Sequence, residues 1–151
     1  MSFNTTSGSR GVSQPGVFKS FLKLFNKFSA GRIRKTGKFG ELPSLVLTTV
    51  GSKSGLERNT PLAYFPDGGS WLIVASFAGA VKNPSWYYNL AAHPEQVSIE
   101  FGGRRESVVA EQLHGSERDV AWKRITAASQ RFAEYQSKTD RELPIIRLTA
   151  R

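Results

Sequence analysis

Between residues 44 and 113 the chain alternates short apolar runs with turn signals. "SLVLTTV" (44–50), "PLAYF" (61–65), "SWLIVAS" (70–76), "QVSIEF" (96–101) and "ESVVAEQL" (106–113) are rich in β-branched and aromatic residues, and their lengths predict strands. Val97, Ile99 and Phe101 alternate with polar neighbours, which implies one buried face. Asp67-Gly68-Gly69 and Gly102-Gly103 read as hairpin turns. Five or six such strands in a small domain favour an antiparallel barrel, closed or nearly so.

The pattern changes period twice within this body. Asn83-Pro84 predicts a helix start, with Asn as cap and Pro at the first helical position of "PSWYYNLAAH". Ser116 is read as the cap of "ERDVAWKRITAASQRFAEY", one helix whose inner stripe is Val120, Ile125, Ala128, Phe132 and Tyr135.

The first 40 residues differ from the rest. Residues 1–16 are rich in Ser, Gly and Thr and read as disordered. From Val17, Phe18, Phe21, Leu22, Phe25 and Phe28 recur at spacings of three and four, while Lys19, Lys23 and Lys27 form a separate line, predicting a basic amphipathic helix. The division expected is therefore an arm, flexible and basic, over residues 1–40 and a barrel over 41–151. Eight of the 21 basic side chains fall in the arm, which has no acid, leaving 13 basic against 12 acidic in the body.

That asymmetry points to a terminal segment drawn to an anionic surface rather than to a uniformly basic nucleic-acid face. Three readings of the arm stand side by side: its stripe packs on protein, it enters a lipid headgroup layer through residues 17–38, or it binds nucleic acid. The last lacks any base-stacking or groove-reading pattern downstream. No apolar run approaches the roughly 20 residues of a spanning helix, and no signal-peptide core is visible. There is no cysteine, which excludes disulfides and thiol chemistry. His93 and His114 stand apart from any nucleophile pattern, and no spacing suggests a metal site.

Candidate chemistry begins at "LTTVGSKSGLERNTPL" (47–62). A phosphate-binding P-loop needs Lys-Ser/Thr after its second glycine, and Leu56 follows Gly55, so that reading fails. A glycine-bracketed turn remains, carrying Lys53 and followed by Arg58: an anion site of modest specificity, or a solvated hairpin tip. "VASFAGAVKNPSWYYNL" (74–90) adds small residues, Lys82, a helix start and flat aromatic rings. Together they suit a planar ring with an anionic tail.

"LTTVGSKSGLERNTPLAYF", "DGGSWLIVASFAGAVKNPSWYYNL" and "EYQSKTDRELPIIRL" resemble the deazaflavin-dependent nitroreductase family, from about Leu45 to Leu148. The resemblance implies a split β-barrel, related to FMN-binding barrels, that uses coenzyme F-420, a reduced 8-hydroxy-5-deazaflavin, without a metal. It implies that Ser52, Lys53, Ser54, Arg58, Asn59, Thr60, Pro61 and Leu62 contact the coenzyme's phosphate-bearing tail and ring edge. Val74, Ala75, Ser76 and Phe77 match the stretch beside the deazaflavin, and Ser85, Trp86, Tyr87 and Asn89 match the helix closing the site. The implied activity is hydride transfer from the reduced coenzyme to a quinone of the menaquinone type, with Tyr135 and Ser76 orienting or protonating the acceptor. Some relatives that reduce nitroimidazoles have tyrosines where Ala63, Ser129 and Phe132 stand, so weak nitroimidazole reduction is expected. A cytoplasmic protein held peripherally on the inner face of the cell membrane is expected from the arm and the substrate, and paired barrel edges make a homodimer an expectation. The alternatives are a non-catalytic carrier of a deazaflavin or FMN and a basic scaffold protein.

Overall fold

The computed structural model describes residues 3–4, 7–11, 29–39 and 42–151. The aromatic stripe from Phe18 to Phe28 and Lys19, Lys23 and Lys27 lie outside the described residues. Immediately after Phe28 the chain is helical: α1 occupies residues 29–36 and ends at Gly37, whose φ of 72° lets its amide close on Ile33 O at 2.8 Å. This part of the arm packs on the body, Ala30 and Ile33 covering Val46.

The strands are β1 (Lys38–Phe39), β2 (Leu42–Val50), β3 (Glu57–Ala63), β4 (Phe65–Asp67), β5 (Ser70–Val74), β6 (Val97–Phe101), β7 (Arg104–Gln112) and β8 (Ile145–Ala150). They form one antiparallel sheet in the order β1-β2-β6-β7-β8-β5-β4, with β3 paired to β2 off that path. The sheet curls into a split barrel rather than a closed one. Both expected hairpins are present: Asp67 pairs with Ser70 and Phe101 with Arg104, with Gly68, Gly69, Gly102 and Gly103 all at positive φ. "PLAYF" divides between β3 and β4. Central strand β8, between β7 and β5, is not among the strands predicted from the apolar runs.

Strand alternation makes two cores. Leu45, Leu47, Ile73, Val97, Ile99, Val108, Ile146 and Leu148 face the barrel interior, which α2 (Ser85–Ala92) plugs with Trp86, Tyr87 and Leu90. Leu72, Val74 and Ile145 face outward, where α3 (Gly115–Ala128) and α4 (Gln130–Ser137) cover them with Ala121, Ile125 and Phe132. Here the single predicted helix breaks at Ser129, whose φ of −150° and ψ of 108° are extended. Val120 is 61% exposed and Ala128 is exposed, so neither belongs to the inner stripe. Arg118 takes the inner position, its guanidinium donating to Leu143 O at 3.0 Å and lying 5.0 Å from the Trp122 ring. His114 precedes α3 as its cap residue in place of Ser116, and Pro84 precedes α2 in place of Asn83.

The expected disorder of residues 1–16 does not extend to residues 7–11. Gly8 N donates to Val81 O at 3.0 Å, and the amides of Ser9 and Arg10 each donate to Asp140 Oδ1 at 2.8 Å, with the Ser9 hydroxyl on Asp140 Oδ2. Thr139 Oγ1 donates to Arg10 O. Nearer the start, Phe3 meets Tyr87 edge-on at 5.6 Å and Asn4 N donates to the Tyr87 hydroxyl at 3.0 Å. This strap leaves no mark in the hydrophobic pattern because Ser and Gly side chains offer no apolar signal; its bonds run through backbone amides.

Candidate active site

The glycine-bracketed turn lies between β2 and β3. Gly51 N donates to Leu56 O at 2.8 Å and Gly55 N to Gly51 O at 2.9 Å, with Gly55 at φ 70°. A Cβ on Gly51 would stand 2.5 Å from Ser54 Oγ and 3.3 Å from Leu56 O, so a side chain there would displace the Ser54 hydroxyl. Ser54 Oγ accepts from Leu56 N at 3.1 Å. Ser52 N is held by Asn89 Oδ1 at 3.0 Å, and Asn89 Nδ2 donates to Thr49 Oγ1 at 3.1 Å. Four of the turn's amides, those of Gly51, Ser52, Gly55 and Leu56, are therefore engaged within the protein. What the turn offers an anion is mainly side-chain charge. Lys53 and Arg58 are exposed, and neither forms an ion pair among the described residues.

Strand β3 leads away from that turn as an edge strand, which is why Pro61 is tolerated in it. Period-two alternation sets Arg58, Thr60 and Leu62 on one face, with Leu62 reaching the barrel core. Asn59 faces the other way, its Oδ1 accepting from Thr48 Oγ1 at 2.7 Å.

The second predicted stretch is built differently. Val74 and Ala75 are buried, Ser76 and Phe77 half-buried, and the chain turns through one 3-10 turn, Phe77–Gly79. Phe77 has a φ of 44°, a left-handed conformation unusual for a residue with a side chain. The turn is held by Arg141, a residue to which the sequence pattern gives no role. Its Nη1 donates to Ala75 O at 2.9 Å and to Asn83 Oδ1 at 2.6 Å, its Nη2 to Ser76 O at 2.9 Å and its Nε to Ala80 O at 3.1 Å. Arg141 is 4% exposed, and burial lowers its pKa from the ordinary arginine value. Gly79, at φ 78°, packs where a Cβ would be 2.6 Å from Tyr135 O. This close approach brings α4, and with it Tyr135, against the turn that begins at Ser76. The Tyr135 ring is half-buried between Phe132, 5.8 Å away, and Lys138, whose Nζ lies 6.0 Å from its centre.

Helix α2 and the residues just before it join the two stretches. Two residues before the helix Asn83 accepts from Arg141, and in its second turn Asn89 accepts from Ser52 N. Ser85 is exposed and Tyr88 half-buried. Trp86 and Tyr87 are buried, and their rings plug the barrel. The Tyr87 hydroxyl faces Gln112 Oε1 and Asn4 O, and burial pushes its pKa up to about 12, keeping it neutral. Asn89 likewise acts here as a brace between strand and turn. Asn89 of α2 is thus tied to the anion turn, and Asn83, two residues before α2, is tied through Arg141 to the Ser76 turn, against which α4 and Tyr135 pack. Among the described residues no group of His, Asp or Glu could hold a metal ion, and no helix is long and apolar enough to cross a membrane.

The donor set fits an anionic cofactor: two exposed cations without an ion-pair partner among the described residues, an edge strand beside them, and a half-buried turn held by Arg141. The comparisons with known proteins agree. The family model described as "F420H(2)-dependent quinone reductase" matches residues 23–150. The F420H(2)-dependent quinone reductase Rv1261c of Mycobacterium tuberculosis is 40% identical over 115 residues, covering 74% of this chain and 76% of its own. A solved F420-H2 dependent reductase, FDR-A, superposes with a TM-score of 0.64 at 40% identity, covering 70% of this chain and 93% of its own. Another structure, described as a domain-swapped dimer, gives 0.65 at 33% identity over 87% of this chain and 96% of its own. With a split barrel, a relative 40% identical over 74% of its length and a family model matching residues 23–150, this chain belongs to the F420H(2)-dependent quinone reductase family.

Proposed function

We propose that this chain is an oxidoreductase that uses the reduced deazaflavin coenzyme F-420 to deliver hydride to a quinone. The observation that carries this reading is that two unlike half-sites flank one segment, residues 83–89: a turn with exposed cations bound by Asn89, and a half-buried turn tied to Asn83 through Arg141. Lys53 and Arg58 would hold the phosphodiester and acidic tail by charge-assisted hydrogen bonds. Ser52, Ser54, Asn59, Thr60, Pro61 and Leu62 would line its path toward the ring, and Val74, Ala75, Ser76, Phe77 and Ser85 would border the ring. Bound there, the coenzyme supplies the hydride. The protein orients the acceptor and excludes water, and the Tyr135 Oη or Ser76 Oγ hydroxyl donates the proton that a reduced quinone oxygen requires.

Titration of the protein with reduced coenzyme and a soluble menaquinone analogue, followed by deazaflavin absorbance, tests this reading. Reoxidation on addition of the quinone is expected. Binding without reoxidation would leave a carrier, and absence of binding would overturn the coenzyme site. Nitroimidazole turnover is expected to be weak, since Ala63, Ser129 and Phe132 stand where tyrosines occur in relatives that activate such compounds; turnover matching the quinone rate would contradict this.

The arm supports a peripheral place on an anionic membrane, where the quinone is. Its phenylalanine stripe and lysine line suit headgroup insertion, at about 1 kcal/mol per basic residue near the surface. Because α1 and the strap are seated on the body, the test is Lys19→Gln, Lys23→Gln and Lys27→Gln together rather than deletion. Loss of sedimentation with anionic liposomes, with soluble-quinone turnover kept, is expected; unchanged sedimentation would defeat the membrane reading. A homodimer is a further proposal, supported by the free edge of β3, and light scattering of the purified protein decides it.

A further inference from the structure

We infer that Arg141 is a positioning residue of this reaction, holding the Ser76–Phe77 turn in the only conformation that presents it to the coenzyme ring and acceptor; this rests on the functional reading above. The turn cannot hold itself. Among the described residues its own hydrogen bonds are few: Ala75 N to Pro144 O, Gly79 N to Ser76 O and Ala80 N to Phe77 O. Yet Phe77 is kept in a left-handed conformation that a non-glycine residue leaves unless its surroundings over-determine it. Four of the five donors of one guanidinium supply that determination, reaching Ala75 O, Ser76 O, Ala80 O and Asn83 Oδ1 from a single planar fork.

Every one of these acceptors is neutral. A buried cation without a carboxylate partner is a poor device for stability, since desolvation is not offset by an ion pair. Its distinctive property is geometric: three carbonyls drawn to one side of the turn fix where the Ser76 hydroxyl and the Phe77 ring can stand. Lysine has a single ammonium and cannot reproduce the fork. The neighbouring residues act on a different element, Thr139 and Asp140 binding Arg10 and Ser9 of the N-terminal strap. Thr139 and Asp140 reach the turn only through the strap, whose Gly8 bonds Val81 and whose Gly11 packs on Gly79–Val81, whereas Arg141 binds the turn directly.

The test compares full-length wild type with Arg141→Gln, Arg141→Lys and Asp140→Asn. Four readouts are taken: thermal melting, hydrogen exchange of the amides of residues 76–80 without coenzyme, coenzyme affinity, and kcat with a soluble menaquinone analogue. For a folded Arg141→Gln, exchange at 76–80 is expected to rise and kcat to fall about 100-fold, the loss associated with misplacing a reacting group by about 1 Å. Affinity should change little, because the tail is held at the other turn. Arg141→Lys should retain the fold and part of the exchange protection but lose most of kcat, and added guanidinium should restore part of the Arg141→Gln rate. Asp140→Asn, which loosens only the strap, should raise exchange at 76–80 and lower kcat far less than Arg141→Gln does. Three outcomes would overturn the inference: an Arg141→Lys kcat equal to wild type, an Arg141 effect confined to affinity, or an equal loss in Asp140→Asn. A wild type that does not oxidise the reduced coenzyme would instead overturn the functional reading, and the exchange data would still decide whether Arg141 holds the turn.

Discussion

The two turns that flank residues 83–89 are made in opposite ways. The 51–56 turn is local and exposed; its hydrogen bonds close within six residues, apart from the one to Asn89, and its working groups are cations in water. The 75–80 turn is fixed from 61–66 positions away by a buried guanidinium and crowded by α4. A soft, charged end suits gripping a tail of variable length, and a stiff end suits holding a ring against an acceptor to within fractions of an ångström. Affinity and chemistry should therefore be separable by substitution.

The largest separation is expected from Lys53→Gln with Arg58→Gln. Losing two exposed charge-assisted contacts of about 1.4 kcal/mol each should weaken coenzyme binding roughly 100-fold and leave saturated kcat near wild type. The salt dependence of wild-type affinity should largely vanish in this variant, which titration at two ionic strengths would reveal.

At the stiff end, Gly79→Ala puts a methyl group 2.6 Å from Tyr135 O at a φ of 78°. A cost of about 2 kcal/mol in stability is expected from denaturant unfolding, with kcat falling more than affinity. Gly55→Ala has a similar φ but open space around it, so a smaller cost of about 1 kcal/mol should appear in the same unfolding assay. Asn89→Ala touches the link between the ends: Ser52 N and Thr49 Oγ1 lose their partner, costing about 1–2 kcal/mol. Its affinity loss should be smaller than that of the double charge variant.

The smallest effect concerns the strap over the stiff end. Asp140 is lowered to about 2 from 3.8, first by the Ser9 hydroxyl and then by the amides of Arg10 and Ser9. A carboxylate lowered by folding contributes stability that is complete above its unfolded pKa and is lost as pH falls through the folded one. The clasp should thus be fully stabilised above about pH 4 and lose that stabilisation as pH falls toward about 2. Backbone amide shifts of Ser9 and Arg10 should follow that titration, and Asp140→Asn should flatten it.

The contrast also explains what the sequence discloses. The 51–56 turn is legible because its geometry depends on glycines and charges adjacent in the chain. Strands β2 and β5 are legible as short apolar runs buried on both faces, and β7 because burial imposes period two. Arg141 is not legible: its partners lie 58–66 positions away, and "KTDRE" looks like a solvated charged run. Strand β8 is hidden for a related reason, a short apolar run following those charges and paired only with distant β5 and β7. The helix break at Ser129 and the exposure of Val120 accompany Arg118, whose long stem and carbonyl contact let a charged residue occupy the inner face. Asn89 is found by its position near the site, but its carboxamide braces the turn rather than pointing outward.

Grip at one turn and chemistry at the other can be separated most directly with a coenzyme fragment that keeps the deazaflavin ring and lacks the phosphodiester tail. Single-turnover hydride transfer at saturating fragment should proceed at a rate close to that of the whole coenzyme, with half-saturation at roughly 100-fold higher concentration. A fragment that binds as tightly as the whole coenzyme, or one that saturates but transfers no hydride, would contradict the division of labour between the two turns.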